Sequence, residues 1–105
     1  MNSTAGLEPW MKAPIEYLVW VAAHNGLTPR ITSTYRSYSQ QNRLYQAYLR
    51  GESKFPVAPP GQSYHQYGRA ADIVVSQAWA YPQLGAIWRS MGGSWWAADP
   101  IHFQA

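Results

Sequence analysis

The sequence predicts an α+β domain, a small and mainly antiparallel sheet with helices packed on one side, on three observations. Three stretches repeat apolar residues at helical spacing and close at a glycine. Short runs rich in β-branched or small apolar residues read as strands, and they fall between the helices rather than in one block. The chain has 105 residues, enough for one core and too few for two, so residues 1–105 are expected to form a single domain.

Taken in order, residues 1–8 are small and polar and read as a loose lead-in. The stretch "APIEYLVWVAAHNG" reads as a helix with Pro14 in its first turn, an apolar stripe of Ile15, Leu18, Val19 and Ala22, and Gly26 as its stop. His24 falls in its last turn, where a surface imidazole suits the helix dipole better than it suits a ligand role. "RITSTY" alternates and is β-branched, a short strand ending near Arg36. Ser37 or Ser39 then caps a second helix, "QQNRLYQAYLRG", with Leu44, Ala47 and Tyr48 on one face and Gly51 at its end. "ESKFPVAPPGQS" is a loop by its prolines and glycine. "AADIVV" follows as a strand, "YPQLGAIWRSMGG" as a helix with Pro82 in its first turn, and "SWWAADPIHFQ" as two extended pieces around Pro100. There is no internal repeat.

Composition narrows the function classes. Hydrophobic residues at 47% against 12% charged residues exclude a disordered chain. Six Trp and eight Tyr suit both a core and the walls of a polar groove, and composition does not divide them between the two. The net charge is +3, which favours encounter with anionic polymers, nucleic acid and bacterial wall among them. The basic residues are spread rather than clustered, so a nucleic-acid surface is a rival reading without a motif behind it. Cysteine is absent, which excludes disulfides and thiolate metal sites. No run is long enough for a membrane helix, and the first residues lack the pattern of a secretory leader, so neither membrane insertion nor self-directed export is expected.

Alternation along the strand sends Ala70, Asp72 and Val74 one way and Ala71, Ile73 and Val75 the other, the second set forming the face a helix would cover. In "PIHFQ" the same rule pairs Ile101 with Phe103 and His102 with Gln104. If the two strands are neighbours, Asp72 and His102 emerge on one open face. His65 precedes the first strand in a turn-rich approach that can bring its imidazole beside Asp72. Two imidazoles and a carboxylate suit a catalytic zinc, three protein ligands leaving a fourth position for water. A zinc hydrolase also needs a base and a cation near the oxyanion. Asp99, three residues before His102, can reach the water, and Arg36 can polarise a carbonyl or hold a substrate carboxylate. Zinc would lower the pKa of that water from about 15.7 to about 7. Each residue taken singly has a plainer reading: Asp72 capping a turn or pairing with Arg69, the histidines as hydrogen-bonded fillers. The helical His-Glu-x-x-His motif of many zinc proteases is absent.

"SYHQYGRAAD", residues 63–72, resembles the Ser-x-His-x-x-Gly-x-Ala-x-Asp signature of the D-alanyl-D-alanine carboxypeptidase and L-alanyl-D-glutamate endopeptidase family, zinc peptidases that include VanY-type enzymes and phage endolysins. "DPIHFQ" resembles the family's acid-x-x-His closing motif, and "TSTYRSYSQQNRLY" its Ser-Gly-Tyr-Arg-Ser segment followed by glutamine. The resemblance implies that His65, Asp72 and His102 hold Zn2+, that Asp99 is the general base, and that Arg36 stabilises the transition state or anchors substrate. Gln41 and Ser63 match positions that line the site. The implied fold is the small α+β core shared with the signalling domain of hedgehog proteins, and the implied partner is a stem peptide of peptidoglycan, met by a monomer. Thr34 stands where the family has glycine, a departure that removes no ligand. "DPIHFQ" is closer to the endopeptidase and endolysin branch than to carboxypeptidases with Glu-Pro-Trp-His, so cleavage after L-Ala is expected, with D-alanyl-D-alanine carboxypeptidase as the alternative. A non-catalytic wall-binding or phage structural module on the same fold is the alternative of another class. The missing leader fits a phage lysin released by a separate pore protein.

Overall fold

The structure, a computed structural model, describes residues 2–105. Helix α1 runs Pro9–His24, strand β1 Arg30–Ser33, helix α2 Tyr38–Leu49, strand β2 Ala70–Val74, helix α3 Tyr81–Ser90 and strand β3 His102–Gln104, with short 3-10 turns at Tyr64–Tyr67 and Ala78–Ala80. The strands form one antiparallel sheet in the order β1-β2-β3. The predicted class and element order are present, except that of the two extended pieces expected around Pro100 only the second forms a strand; Ser94 makes a single bridge to Gln104, and residues 97–101 turn.

One face of β2 carries Ala71 and Ile73 into the core, with Val75 just beyond the strand, and all three are buried. Against them pack Met11, Ile15, Leu18 and Ala22 of α1 and Leu84 and Trp88 of α3. Trp88 meets Phe103 edge to face at 6.2 Å, and its indole N–H donates to the Gln104 carbonyl at 2.8 Å, which seats β3 on this layer. Gly85 lets the Trp95 ring pack against α3, since a Cβ there would overlap it. The apolar layer leaves the opposite face of β2 for polar work.

Two local expectations are corrected, and one shared face is found turned to solvent. Helix α1 begins at Pro9, not near Pro14, because Pro9 already fills the early position where a missing N–H costs nothing; Pro14 lies inside the helix. On α2 the face shared by Leu44 and Tyr48 is exposed, and the one fully buried residue is Gln41. The reason is tertiary: α1 and α3 occupy the apolar side of the sheet, and α2 lies beside the cleft on the other. The lead-in expected to be loose is tied down. Asn2 Oδ1 accepts from the Ile31 N–H at 2.7 Å and its Nδ2 donates to the Pro29 carbonyl at 3.1 Å, so one side chain covers part of the free edge of β1. The Thr34 hydroxyl donates to the Ala5 carbonyl at 2.7 Å, giving the residue that replaces the family's glycine a task of its own.

Ser37 caps α2 through a capping box with Gln40. Among the described residues no helix is long and apolar enough to cross a membrane.

Candidate active site

Strand pairing sets Asp72 directly opposite His102, so both side chains leave the sheet on the face that α1 and α3 do not cover. His65 comes from the 3-10 turn before β2. Ser63 caps that turn, its hydroxyl accepting from the His65 N–H at 3.3 Å, and Gly68 ends it in the left-handed conformation. A ligand atom from each of His65, Asp72 and His102 lies within 4.8 Å of the others. The strand alternation and the turn thus deliver the three residues together.

The proton positions follow from the outer partners. His65 Nδ1 lies 2.6 Å from the Thr34 carbonyl, which can only accept, so this nitrogen carries the proton. His102 Nε2 lies 2.7 Å from Gln104 Oε1 and donates likewise. With both rings neutral, His65 Nε2 and His102 Nδ1 direct bare lone pairs at the same oxygen, Asp72 Oδ1, from 3.2 and 3.3 Å. Three electron-rich atoms facing one point repel unless a cation sits among them. That donor set fits a dication, with the carbonyl and the amide acting as the outer groups that orient metal-binding imidazoles.

Arg36 stands behind Asp72. Its Nη2 donates to Asp72 Oδ2 at 2.8 Å, its Nε to Ser33 Oγ at 3.1 Å and its Nη1 to Gln41 Oε1 at 3.2 Å. Of the five guanidinium N–H groups two remain to face a ligand. The alternative pairing of Asp72 with Arg69 is not formed; Arg69 donates to the Ala105 carbonyl instead. Gln41, 1% exposed, also donates from Nε2 to the Ala58 carbonyl at 2.9 Å. Both ends of its amide are engaged, so it holds the loop wall of the cleft to Arg36.

Burial opposes the charge on Asp72, but when the inward nitrogens of the two rings carry a proton, their hydrogen bonds, His102 before His65, and the charges of His65 and Arg36 together hold its carboxyl well below the usual carboxylate range. Burial pushes the Asp99 carboxyl up, and the charge of Asp72 adds to that, while His102, His65 and Arg36 oppose it. His102 is raised: burial disfavours its charge, and the contacts with Asp72 and Gln104 and the charges of Asp72 and Asp99 outweigh burial. Asp99 sits in the turn before β3, where its carbonyl accepts from the His102 N–H at 3.1 Å.

All seven residues singled out in the sequence, Arg36, Gln41, Ser63, His65, Asp72, Asp99 and His102, line one cleft of about 410 Å³. Its outer walls are Phe55–Ala58 from the loop and Trp96. Sequence reading missed the Thr34 carbonyl, which has no side-chain signal, and the role of Gln104, whose signal was its place on the His102 face.

The family described as VanY, D-alanyl-D-alanine carboxypeptidase, matches residues 4–98, a span that includes His65 and Asp72 and stops short of Asp99 and His102. The peptidoglycan L-alanyl-D-glutamate endopeptidase CwlK of Bacillus subtilis strain 168 is 33% identical over 78 residues, 73% of this chain and 47% of CwlK. The chain therefore spans about half the length of that curated relative. Among solved structures, the LdcB LD-carboxypeptidase aligns with a TM-score of 0.74 at 24% identity, over 98% of this chain and 66% of its own. A mutant of the vancomycin-resistance D,D-pentapeptidase VanY from the VanB-type cassette, in complex with Zn(II), aligns with a TM-score of 0.70 at 19% identity, over 99% and 76%. These two likenesses speak for the fold, and the family match extends over nearly the whole length. The chain belongs to the VanY, D-alanyl-D-alanine carboxypeptidase, family.

Proposed function

We propose that this chain is a zinc peptidase domain that hydrolyses stem peptides of peptidoglycan, cutting between L-alanine and D-glutamate. The observation that carries the reading is the convergence of two imidazole lone pairs on Asp72 Oδ1, with each opposite ring nitrogen engaged as a donor. His65, Asp72 and His102 would hold the zinc, as in the family the sequence resembles and with VanY as the solved example in complex with Zn(II). Zinc bound there supplies Lewis acidity, which makes water a better nucleophile and polarises the scissile carbonyl.

The remaining steps belong to the side chains. Asp99, its carboxyl raised by burial, takes a proton from the attacking water as the new C–O bond forms, and then passes it to the leaving amine as the peptide C–N bond breaks. The two unengaged N–H groups of Arg36 face the developing oxyanion or a substrate carboxylate, and its bond to Oδ2 keeps Asp72 oriented. Ser63 sets the turn that aims His65. The endopeptidase bond is favoured by the 33% identity to CwlK and by the form of "DPIHFQ". Carboxypeptidase action is the second reading, favoured by the family's own description.

Mass spectrometry of fragments released from purified peptidoglycan tests both. Zinc-loaded protein should release peptides beginning with D-glutamate; free D-alanine would replace the first reading by the second. Asp99→Asn should keep zinc and lose about 100-fold or more in rate, the usual range for a general base. Zinc bound with no release from any wall type would leave a binding module.

A further inference from the structure

We propose that the groove lined by Trp10, Tyr35 and Tyr67 binds the glycan strand of peptidoglycan, taking neutral N-acetylated sugar rings beside the cleft that takes the peptide. The inference rests on the peptidoglycan reading above for the identity of the polymer. The groove has a volume of about 700 Å³ and runs between residues 6–10, Tyr35 and residues 66–69. Its three aromatic side chains are each about half exposed, at 54% for Trp10, 53% for Tyr35 and 56% for Tyr67. Single exposed aromatics need no explanation, whereas three on one groove mark a binding surface.

The rim decides the chemistry of the ligand. Arg69 and Gln66 offer N–H donors, and the exposed Glu8 carboxylate accepts. Flat ring faces framed by both donors and acceptors suit a pyranose, which has apolar C–H faces and a border of hydroxyls and amides. One cation and one anion also leave the groove electrically balanced on a chain of net charge +3. A polyanion would find no attracting field here. A glycan strand whose lactyl groups carry peptide is neutral and fits.

The walls are held in place before any ligand arrives. Tyr67 donates from its hydroxyl to the Gly61 carbonyl at 2.6 Å, and Gln66 Oε1 accepts from the Gly61 N–H at 2.6 Å, which leaves the Gln66 amide N–H groups for a ligand. Arg69 is fixed by the Ala105 carbonyl at 2.7 Å, with its Cζ 4.9 Å from the Tyr64 ring centre and 5.9 Å from that of Trp10. The floor is close backbone contact. Glu8 N–H donates to the Gly68 carbonyl at 2.9 Å, and a Cβ on Gly68, at φ 67°, would lie only 2.9 Å from Glu8 N and Gly6 O. Such preorganisation lowers the entropy cost of holding a weakly binding sugar.

Position connects the groove to the reaction. Tyr35 lines the groove and Arg36 the cleft; Gln66 and Tyr67 line the groove and His65 the cleft. The two sites share a wall. In peptidoglycan the stem peptide starts on the lactyl group of the sugar, with L-alanine first. A cut after L-alanine lies one residue, about 3.5 Å of chain, from that attachment, whereas a cut before the terminal D-alanine lies four residues, about 14 Å, away. An enzyme making the first cut has to accommodate the sugar, and this groove is an aromatic-lined surface beside the cleft.

The test compares a free stem peptide with the same peptide on its disaccharide. KM for the disaccharide substrate should be lower by about tenfold. Trp10→Ala should remove that difference without changing kcat or the kinetics of the free peptide, and Trp10→Phe, which keeps a ring, should restore most of it. Equal KM for the two substrates, or a preference that survives Trp10→Ala, overturns the proposal. A second measurement does not depend on catalysis: titration with the tetramer of β-1,4-linked N-acetylglucosamine, followed by amide NMR. Shifts confined to residues 6–10, 35 and 66–69 support the groove as a sugar site, and their absence at millimolar sugar overturns it. If zinc-loaded protein cuts neither peptide substrate, the stem-peptide reading fails and the sugar titration still decides the groove.

Discussion

Asp72 accepts from Arg36 at Oδ2, while two imidazole nitrogens face its Oδ1. Its place was legible because strand period and ladder register obey simple geometry: a period of two puts Asp72 and His102 on one face, and the antiparallel pairing sets them opposite. The proton positions were not legible, because one of the two groups that set them is the backbone carbonyl of Thr34. Metal binding requires His102 to be neutral, and its pKa lies above the ordinary 6.5. Protons therefore compete with metal, and affinity is full above the raised pKa and falls as pH drops through it. A competition titration against a zinc chromophore, from about pH 8 to about pH 5.5, should show that decline beginning at a higher pH than an unperturbed histidine would give. Affinity independent of pH across this range would count against His102 as a ligand.

At the scale of elements, α2 shows where periodicity stops being informative. The helix and its cap are where Ser37 and Gly51 predict, but the apolar stripe of Leu44 and Tyr48 is exposed and the polar Gln41 is buried. Periodicity reports which residues share a face, and only the packing of α1 and α3 on the sheet decides that α2 has no core to cover. What α2 contributes is a tether. Gln41 joins Arg36 on one side and the Ala58 carbonyl on the other, so the loop between Ser53 and Gln62 is held to the group that orients Asp72. Gln41→Leu would leave a guanidinium N–H and a carbonyl without partners, at a cost of about 1–3 kcal/mol. The loop should then be cut by trypsin after Lys54 faster than in the wild type, and KM for stem peptide should rise while zinc content stays unchanged. Unchanged proteolysis and KM would reduce Gln41 to a passive filler.

Across the whole molecule, the three candidate ligands come from three separate pieces of chain: the turn at Tyr64–Tyr67, β2 and β3. The same turn leads into the groove floor at Gly68, and β3 is seated on the core through Phe103 and the bond from Trp88 to the Gln104 carbonyl. A metal joining them would cross-link the polar face of the sheet while the apolar face holds the helices. That makes stability a readout of the site. The apolar core and the Arg36–Asp72 pair need no metal to form, so chelation should lower the melting temperature without unfolding the protein at room temperature. Free zinc at 100 times its Kd would add about 2.7 kcal/mol if it binds only the native state. For a domain of this size that is a rise of about 10–20 °C. The rise should continue with zinc concentration and vanish in Asp72→Asn, whose amide cannot supply the negative charge between two imidazoles. Asp99→Asn, which spares all three ligands, should keep it. A melting temperature indifferent to zinc in the wild-type chain would mean that the three side chains meet for another reason, and the hydrolytic reading would fall with the metal.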